Sequence, residues 1–163
     1  MFKVSFKEKD NCPSKVVEKI GKKTTVYYKG TVALPKFWWY LPKKIYDWIG
    51  NIGSLEIYEN MATNELIIYA KGTAKCAEGD TYDSLLGERL AEAKAKLVIY
   101  RFFRDLSLKI CHYYSDILTG EWGFTGTYLY KDKGLAGDYN KYSKLCKTEE
   151  AHIIKLLSND GSK

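Results

Sequence analysis

Apolar residues recur at helical spacing over one long stretch, from about Asp83 to Leu118. Drawn at ~100° per residue, Ala91, Ala95, Val98, Ile99, Phe102, Leu106, Ile110, Tyr113 and Ile117 fall on one stripe. A second stripe, roughly opposite, holds Leu86, Leu90, Leu97 and Leu108 and is interrupted by Lys94, Arg101 and Arg104. The stretch lacks proline and is rich in Leu, Ala, Glu, Lys and Arg, all good helix formers. A helix that is apolar on two sides is expected to be covered on two sides. Asp80 suits its N-cap, with Asp83 three residues later near the positive end of the helix dipole. Gly87, Ala91, Ala93 and Ala95 leave the first turns thin, so another backbone can come close, most simply the strand that delivers Cys76.

Upstream the period changes to two. Phe2 to Phe6 alternates apolar and polar and predicts a strand, followed by a turn at Asn11-Cys12-Pro13. Ser14 to Ile20 fits a short helix or a strand equally well. Thr24 to Tyr28 and Thr31 to Leu34 are β-branched and aromatic and predict strands, and Lys36 to Leu41 predicts another. Pro42 opens a short helix, Lys43 to Ile49, with Ile45, Trp48 and Ile49 inward and Gly50 ending it. Leu55 to Glu59 and Glu65 to Ala70 form a hairpin in which Leu55 and Ile57 are buried and Glu56 and Tyr58 wet.

After the long helix, Gly120 to Gly123 reads as a turn and Phe124 to Tyr130 as a late strand. A loop then leads to Asp138, placed as the cap of a last helix reaching about Leu157, with Thr148 a suitable site for a break. The expected fold is α+β: a mostly antiparallel, twisted sheet packed against one long helix, with a small C-terminal helical part. Residues 1–119 form the sheet and long-helix domain, and residues 120–163 pack on it as an extension or complete a single domain.

Composition adds little until its distribution is considered. With 163 residues, 45% hydrophobic and 28% charged, the chain has the make-up of a globular protein with a sizeable core. No apolar run approaches a membrane span and the first residues lack an apolar leader, so the expected location is the cytoplasm of a host cell. Cys12, Cys76, Cys111 and Cys146 are scattered without a C-x-x-C pair, which predicts reduced structural thiols and no metal. The net charge of +6 is uneven. Residues 1–44 hold 11 lysines against Glu8, Asp10 and Glu18, whereas the remainder holds 15 basic and 17 acidic residues.

No catalytic constellation appears. Phosphate-cradling glycine loops and G-x-S-x-G are both missing, and Cys111 and His112 are adjacent on a helix, where their side chains diverge by ~100°. No enzymatic activity and no cofactor are expected. The remaining signal is the basic, aromatic N-terminal third. There Lys22, Lys23, Lys29, Lys36, Lys43 and Lys44 are interleaved with aromatic residues, of which Trp38 and Tyr40 are the candidates for stacking on bases.

Two local patterns resemble known groups. Ala74-Lys75-Cys76, then Asp80, Tyr82-Asp83, Gly87 and Ala91, resembles a pattern found in small proteins of phages and mobile elements. That resemblance implies a provenance but no reaction, and it makes Cys76, Asp80, Asp83 and Gly87 a structural motif. Leu41-Pro42-Lys43-Lys44-Ile45 through Gly50, with Gly53-Ser54-Leu55-Glu56-Ile57 and Leu66-Ile67-Ile68, resembles the swapped hairpin of AbrB- and MazE-type regulators. It implies an intertwined homodimer that contacts DNA near Lys43 and Lys44, although Ser54 stands at the family's Asp and no arginine precedes Arg89. The functional expectation is a non-enzymatic accessory protein that binds nucleic acid or a host nucleoprotein through the N-terminal face. The alternative is an anti-defence inhibitor, of the anti-CRISPR kind, that binds a host protein surface.

Overall fold

Strong β-formers with period-two burial build the middle of the molecule. The structure is a computed structural model that describes residues 2–6, 14–78, 81, 83–119 and 134–160. Its strands are β1 (Val4–Ser5), β2 (Lys15–Ile20), β3 (Lys23–Ala33), β4 (Leu55–Asn60) and β5 (Glu65–Lys75). A 3-10 helix (Lys36–Tyr40) and α1 (Lys43–Gly50) separate β3 from β4, and α2 (Ser84–Thr119) and α3 (Leu135–Asp160) follow the sheet. The sheet is antiparallel in the order β1-β3-β5-β4, with β2 pairing the near half of β3. An α+β fold with one long helix against the sheet is therefore present.

One face of the sheet lies under α2. Val26, Tyr28 and Val32 of β3, and Leu66, Ile68, Ala70 and Ala74 of β5, are buried there. At Gly72 the approach is closest: an added Cβ would overlap the Ala91 carbonyl oxygen and lie 2.6 Å from the Ala95 nitrogen. The strand that leads to Cys76 therefore touches the backbone of the helix at its alanines, as their small size predicts. On another side α2 carries α3, where Phe103 stacks on Tyr142 with ring centroids 5.3 Å apart and Arg101 meets Glu150 at 2.8 Å.

Several boundaries differ from the sequence pattern. Lys36 to Leu41 is not a strand: Pro35 and Pro42 hold their preceding residues extended, and the five residues of the 3-10 helix coil between them, with Trp38 N–H donating to Pro35 O at 2.9 Å. Trp38 thereby turns fully into the core, where its indole donates to Glu59 Oε1 at 2.7 Å. The long helix is capped by Asp83, whose Oδ1 accepts from Leu85 N–H and Leu86 N–H at 2.8 and 3.0 Å. Asp80, the expected cap, lies outside the described residues, as do the turns predicted at residues 11–13 and 120–123 and the late strand at 124–130.

Asp138 is no N-cap either. Because α3 begins at Leu135, Asp138 falls in the first turn, buried, and its Oδ2 accepts from Phe2 N–H at 2.6 Å. The Tyr142 hydroxyl and the Lys141 ammonium donate to Phe2 O at 3.0 and 3.1 Å, and the Phe2 ring packs among Phe37, Trp38 and Phe103. The helix continues through Thr148, which donates to Lys144 O instead of starting a new segment. Leu135, Tyr142 and the sheet share one apolar core.

Charge pairs fasten β2 to α2. Lys15 reaches Glu88 at 2.9 Å and Glu92 at 3.1 Å and Lys19 reaches Glu88 at 3.3 Å, while within α2 Lys96 reaches Glu92 at 2.6 Å. The hydrogen bond from Lys15 holds the Glu88 carboxyl below its ordinary value. Burial pushes Glu92 up, but the hydrogen bonds from Lys96 and Lys15 outweigh it and leave this carboxyl lowered too. Both depressed acids contribute stability above the ordinary carboxylate range and lose it as pH falls through their folded values. Lys15, held above its ordinary 10.5 mainly by Glu88, loses its contribution only as pH rises past that value.

Two outcomes follow for stability. Gly72→Ala forces β5 away from α2 and lowers unfolding free energy by about 3 kcal/mol, whereas Gly53→Ala, whose Cβ meets nothing within 4 Å, leaves the urea midpoint almost unchanged. Lys15→Met costs about 1 kcal/mol at neutral pH, discounted for partial exposure. Urea unfolding at stepped pH should show that difference shrinking toward zero as pH falls below the ordinary carboxylate range and both acids take up protons.

Candidate nucleic-acid interface

The sheet has a second face, made by the odd-numbered residues of β3 and β5. Tyr27, Ile67, Tyr69 and Tyr58 stand on it and take no part in the apolar core, and along β5 a depression joins Tyr27, Tyr69 and Lys71 to Lys94 and Val98 of α2. Strand register fixes what stands beside what. Lys23 is directly opposite Lys75, Tyr27 opposite Lys71, and Lys29 opposite Tyr69, which in turn faces Glu56 on β4. The Lys71 ammonium sits 5.5 Å from the Tyr27 ring centroid, and Tyr58 and Tyr69 meet edge to face at 5.9 Å. On the flank, β2 places Val16 beside Tyr27 and leaves Ile20 75% exposed beside Lys23.

The β2–β3 turn sharpens this cluster. Gly21 takes a φ of 55°, left-handed backbone that glycine adopts without strain, and the two-residue turn Gly21-Lys22 projects Lys22 beyond the end of the sheet. Cys76 N–H donates to Lys22 O at 3.0 Å, so the end of β5 is tied to the same turn. Lys22, Lys23, Lys75 and Lys71 therefore gather at one end of the open face. Of the acids, Glu65 stands at the other end beside the β4–β5 turn, Glu56 stands near the start of β4 opposite Tyr69 and in one depression with Tyr27 and Lys71, and Glu18 stands on β2 opposite Thr25. The carboxylate of Glu56, which accepts from Tyr58 at 3.2 Å, pushes that phenol's pKa up.

The sequence-predicted residues divide between two places. Lys22, Lys23 and Lys29 come together on or beside the open face. Lys36, Tyr40, Lys43 and Lys44 ride on the 3-10 helix and α1, exposed, on elements that pack through Trp38, Ile45 and Ile49 into the core under the opposite face. Trp38, proposed from sequence as a base-stacking ring, has no exposed surface and cannot stack on a base. Of the structural motif, Cys76 is a half-buried thiol just past the end of β5, Asp83 caps α2 and Gly87 lies in its first turn, with its N–H bonded to Asp83 O at 2.9 Å.

The second half of the cluster, Lys71 and Lys75 with Tyr69 and Tyr58, was missed because charge was counted along the chain. The signal for it is the period-two run Tyr69, Lys71, Thr73, Lys75, once β5 is known to continue past Ala70.

Other chemistry finds little support in the geometry. Among the described residues no three His, Cys, Asp or Glu side chains gather as a metal site, and no helix is long and apolar enough to cross a membrane. Burial pushes the Cys111 and Cys146 thiols up, away from the reactive thiolate form. No family model matches the chain, and neither a curated protein nor a solved structure matches it at a significant level.

Like charges directly opposite on a sheet are destabilising, so the Lys23–Lys75 pair is unfavourable for the isolated protein. Lys75→Glu replaces repulsion by attraction and should raise the unfolding free energy by about 0.5 kcal/mol, read as an upward shift of the urea midpoint at low salt and a smaller shift in concentrated salt.

Proposed function

We propose that the chain binds single-stranded nucleic acid across the open face of its sheet. The observation that carries this reading is the register pairing of Lys23 with Lys75, beside Tyr27 with Lys71 over its ring. Positive charges held together at a cost to stability are relieved by a polyanion, and the rings between them offer π-faces to bases. Phosphates meet Lys22, Lys23, Lys29, Lys71 and Lys75, while Tyr27 and Tyr69 stack on bases. A broad sheet face suits bases that are already unstacked and splayed, as in single strands. The provenance implied by the Ala74 to Ala91 pattern extends the proposal to a non-enzymatic accessory protein of a phage or mobile element, acting on nucleic acid or on a host nucleoprotein.

Fluorescence anisotropy with a labelled oligonucleotide tests it. Five phosphate contacts give a slope of log K against log salt of about −3.5. Lys23→Gln/Lys75→Gln should flatten that slope by about 1.4 units. Tyr69→Ala should weaken binding by about 1–3 kcal/mol with the slope unchanged. Lys36→Gln/Lys43→Gln should do neither. Binding that ignores the Lys23/Lys75 change overturns the reading. A stoichiometric host protein, captured regardless of nuclease and of those substitutions, would instead support the anti-defence alternative.

A further inference from the structure

Away from the sheet's open face, α1 and the C-terminal half of α2 leave a groove of about 410 Å³. That size suits a small organic molecule. The apolar part of its lining is Ile45, Leu108 and the indole of Trp48, which stacks on Phe102 at 5.9 Å with the rings 6° from parallel. Its polar part is basic. Lys44 stands 4.5 Å over the Tyr113 ring and Lys109 5.0 Å over the Trp48 ring, while His112 lines the groove between the two positions contributed by α2. Lys109, His112 and Tyr113 have i, i+3, i+4 spacing and so share one helix face. Among the described residues no carboxylate lines the groove.

Both ammoniums thus rest on π-faces. An exposed cation–π contact is weak, weaker than the charge-assisted hydrogen bond an ammonium makes to a carboxylate. An entering anion can therefore draw Lys44 and Lys109 from their rings, and the ring faces so uncovered become available to an aromatic body. We infer that this groove binds a small aromatic carboxylate, its ring against Trp48 and Tyr113 and its carboxylate held by Lys44 and Lys109. The site is independent of the sheet's open face, and its ligand carries a single charge rather than a phosphate chain.

The test uses the full chain, with naphthalene-2-carboxylate as probe and naphthalene-2-carboxamide as its uncharged counterpart, in ¹H–¹⁵N correlation spectra and calorimetric titrations. The carboxylate should shift the Trp48 indole N–H and the amides of residues 44–48 and 108–113, and bind about tenfold tighter than the carboxamide. Lys44→Gln/Lys109→Gln should abolish that preference with the spectrum otherwise preserved, Lys44→Arg/Lys109→Arg should retain it, and Lys23→Gln/Lys75→Gln should leave it untouched. Equal affinity for the two probes, no binding of either, or shifts confined to other surfaces would overturn the assignment. Should the Gln pair fail to fold, the Arg pair and the comparison of the two probes on the unaltered chain still decide it.

Discussion

Everything in this fold is referred to the contact between Gly72 and the backbone of α2 at Ala91 and Ala95. Side chains normally keep a helix and a sheet well separated, and here the separation collapses locally because neither partner carries bulk. Close seating lets Val26, Leu66 and Ile68 fill the space on either side of the contact, alongside Ile99 and Phe102 of the helix. It also sets the tilt at which the rest of α2 runs, and hence where Phe103 meets α3 and where Phe102 meets α1. The glycine and the alanines sit in different elements, about twenty residues apart, and either would lose its reason without the other.

A single helix can shield only one side of a sheet. Burial of the even-numbered positions of β3 and β5 under α2 therefore turns the odd-numbered ones to the other face, where Thr25 and Thr31 are still covered by their neighbours, and register decides what those neighbours are. Residues more than fifty positions apart in sequence, Lys23 and Lys75, become adjacent by the same pairing that aligns Val26 with Gly72. The basic patch is in this sense a by-product of core geometry: the outer positions are set apart from the inner ones, and in this chain they include four lysines and two tyrosines.

Most of the scaffold was legible because it obeys one period at a time. The two-sided stripe of α2, the alternation of Leu55 to Tyr58 and the helix opened by Pro42 are local signals, and each element lies where its pattern puts it. What escaped was settled by partners distant in sequence. Lys36 to Leu41 has strand-like residues, but its two bounding prolines and the depth of the Trp38 pocket favour a tight coil. Asp138 has the type of a cap, yet its partner is Phe2, which no pattern near Asp138 announces. The basic face was half legible for the same reason: a count along the chain finds the lysines of β3, and only strand pairing brings those of β5 to them.

The clamp on Phe2 bears on how the chain acquires its shape. Its amide, its carbonyl and its ring are all satisfied by groups on or beside α3, 136 residues away for the amide. Contacts of such separation are closed late, since a long loop must be ordered before any reward is collected. The ring meets Phe37, Trp38 and Phe103, and β1 pairs with β3, but the Phe2 amide and carbonyl find their partners only once α3 is in place. Seating of β1 on the sheet and docking of α3 are thereby coupled, so that each holds the other in place.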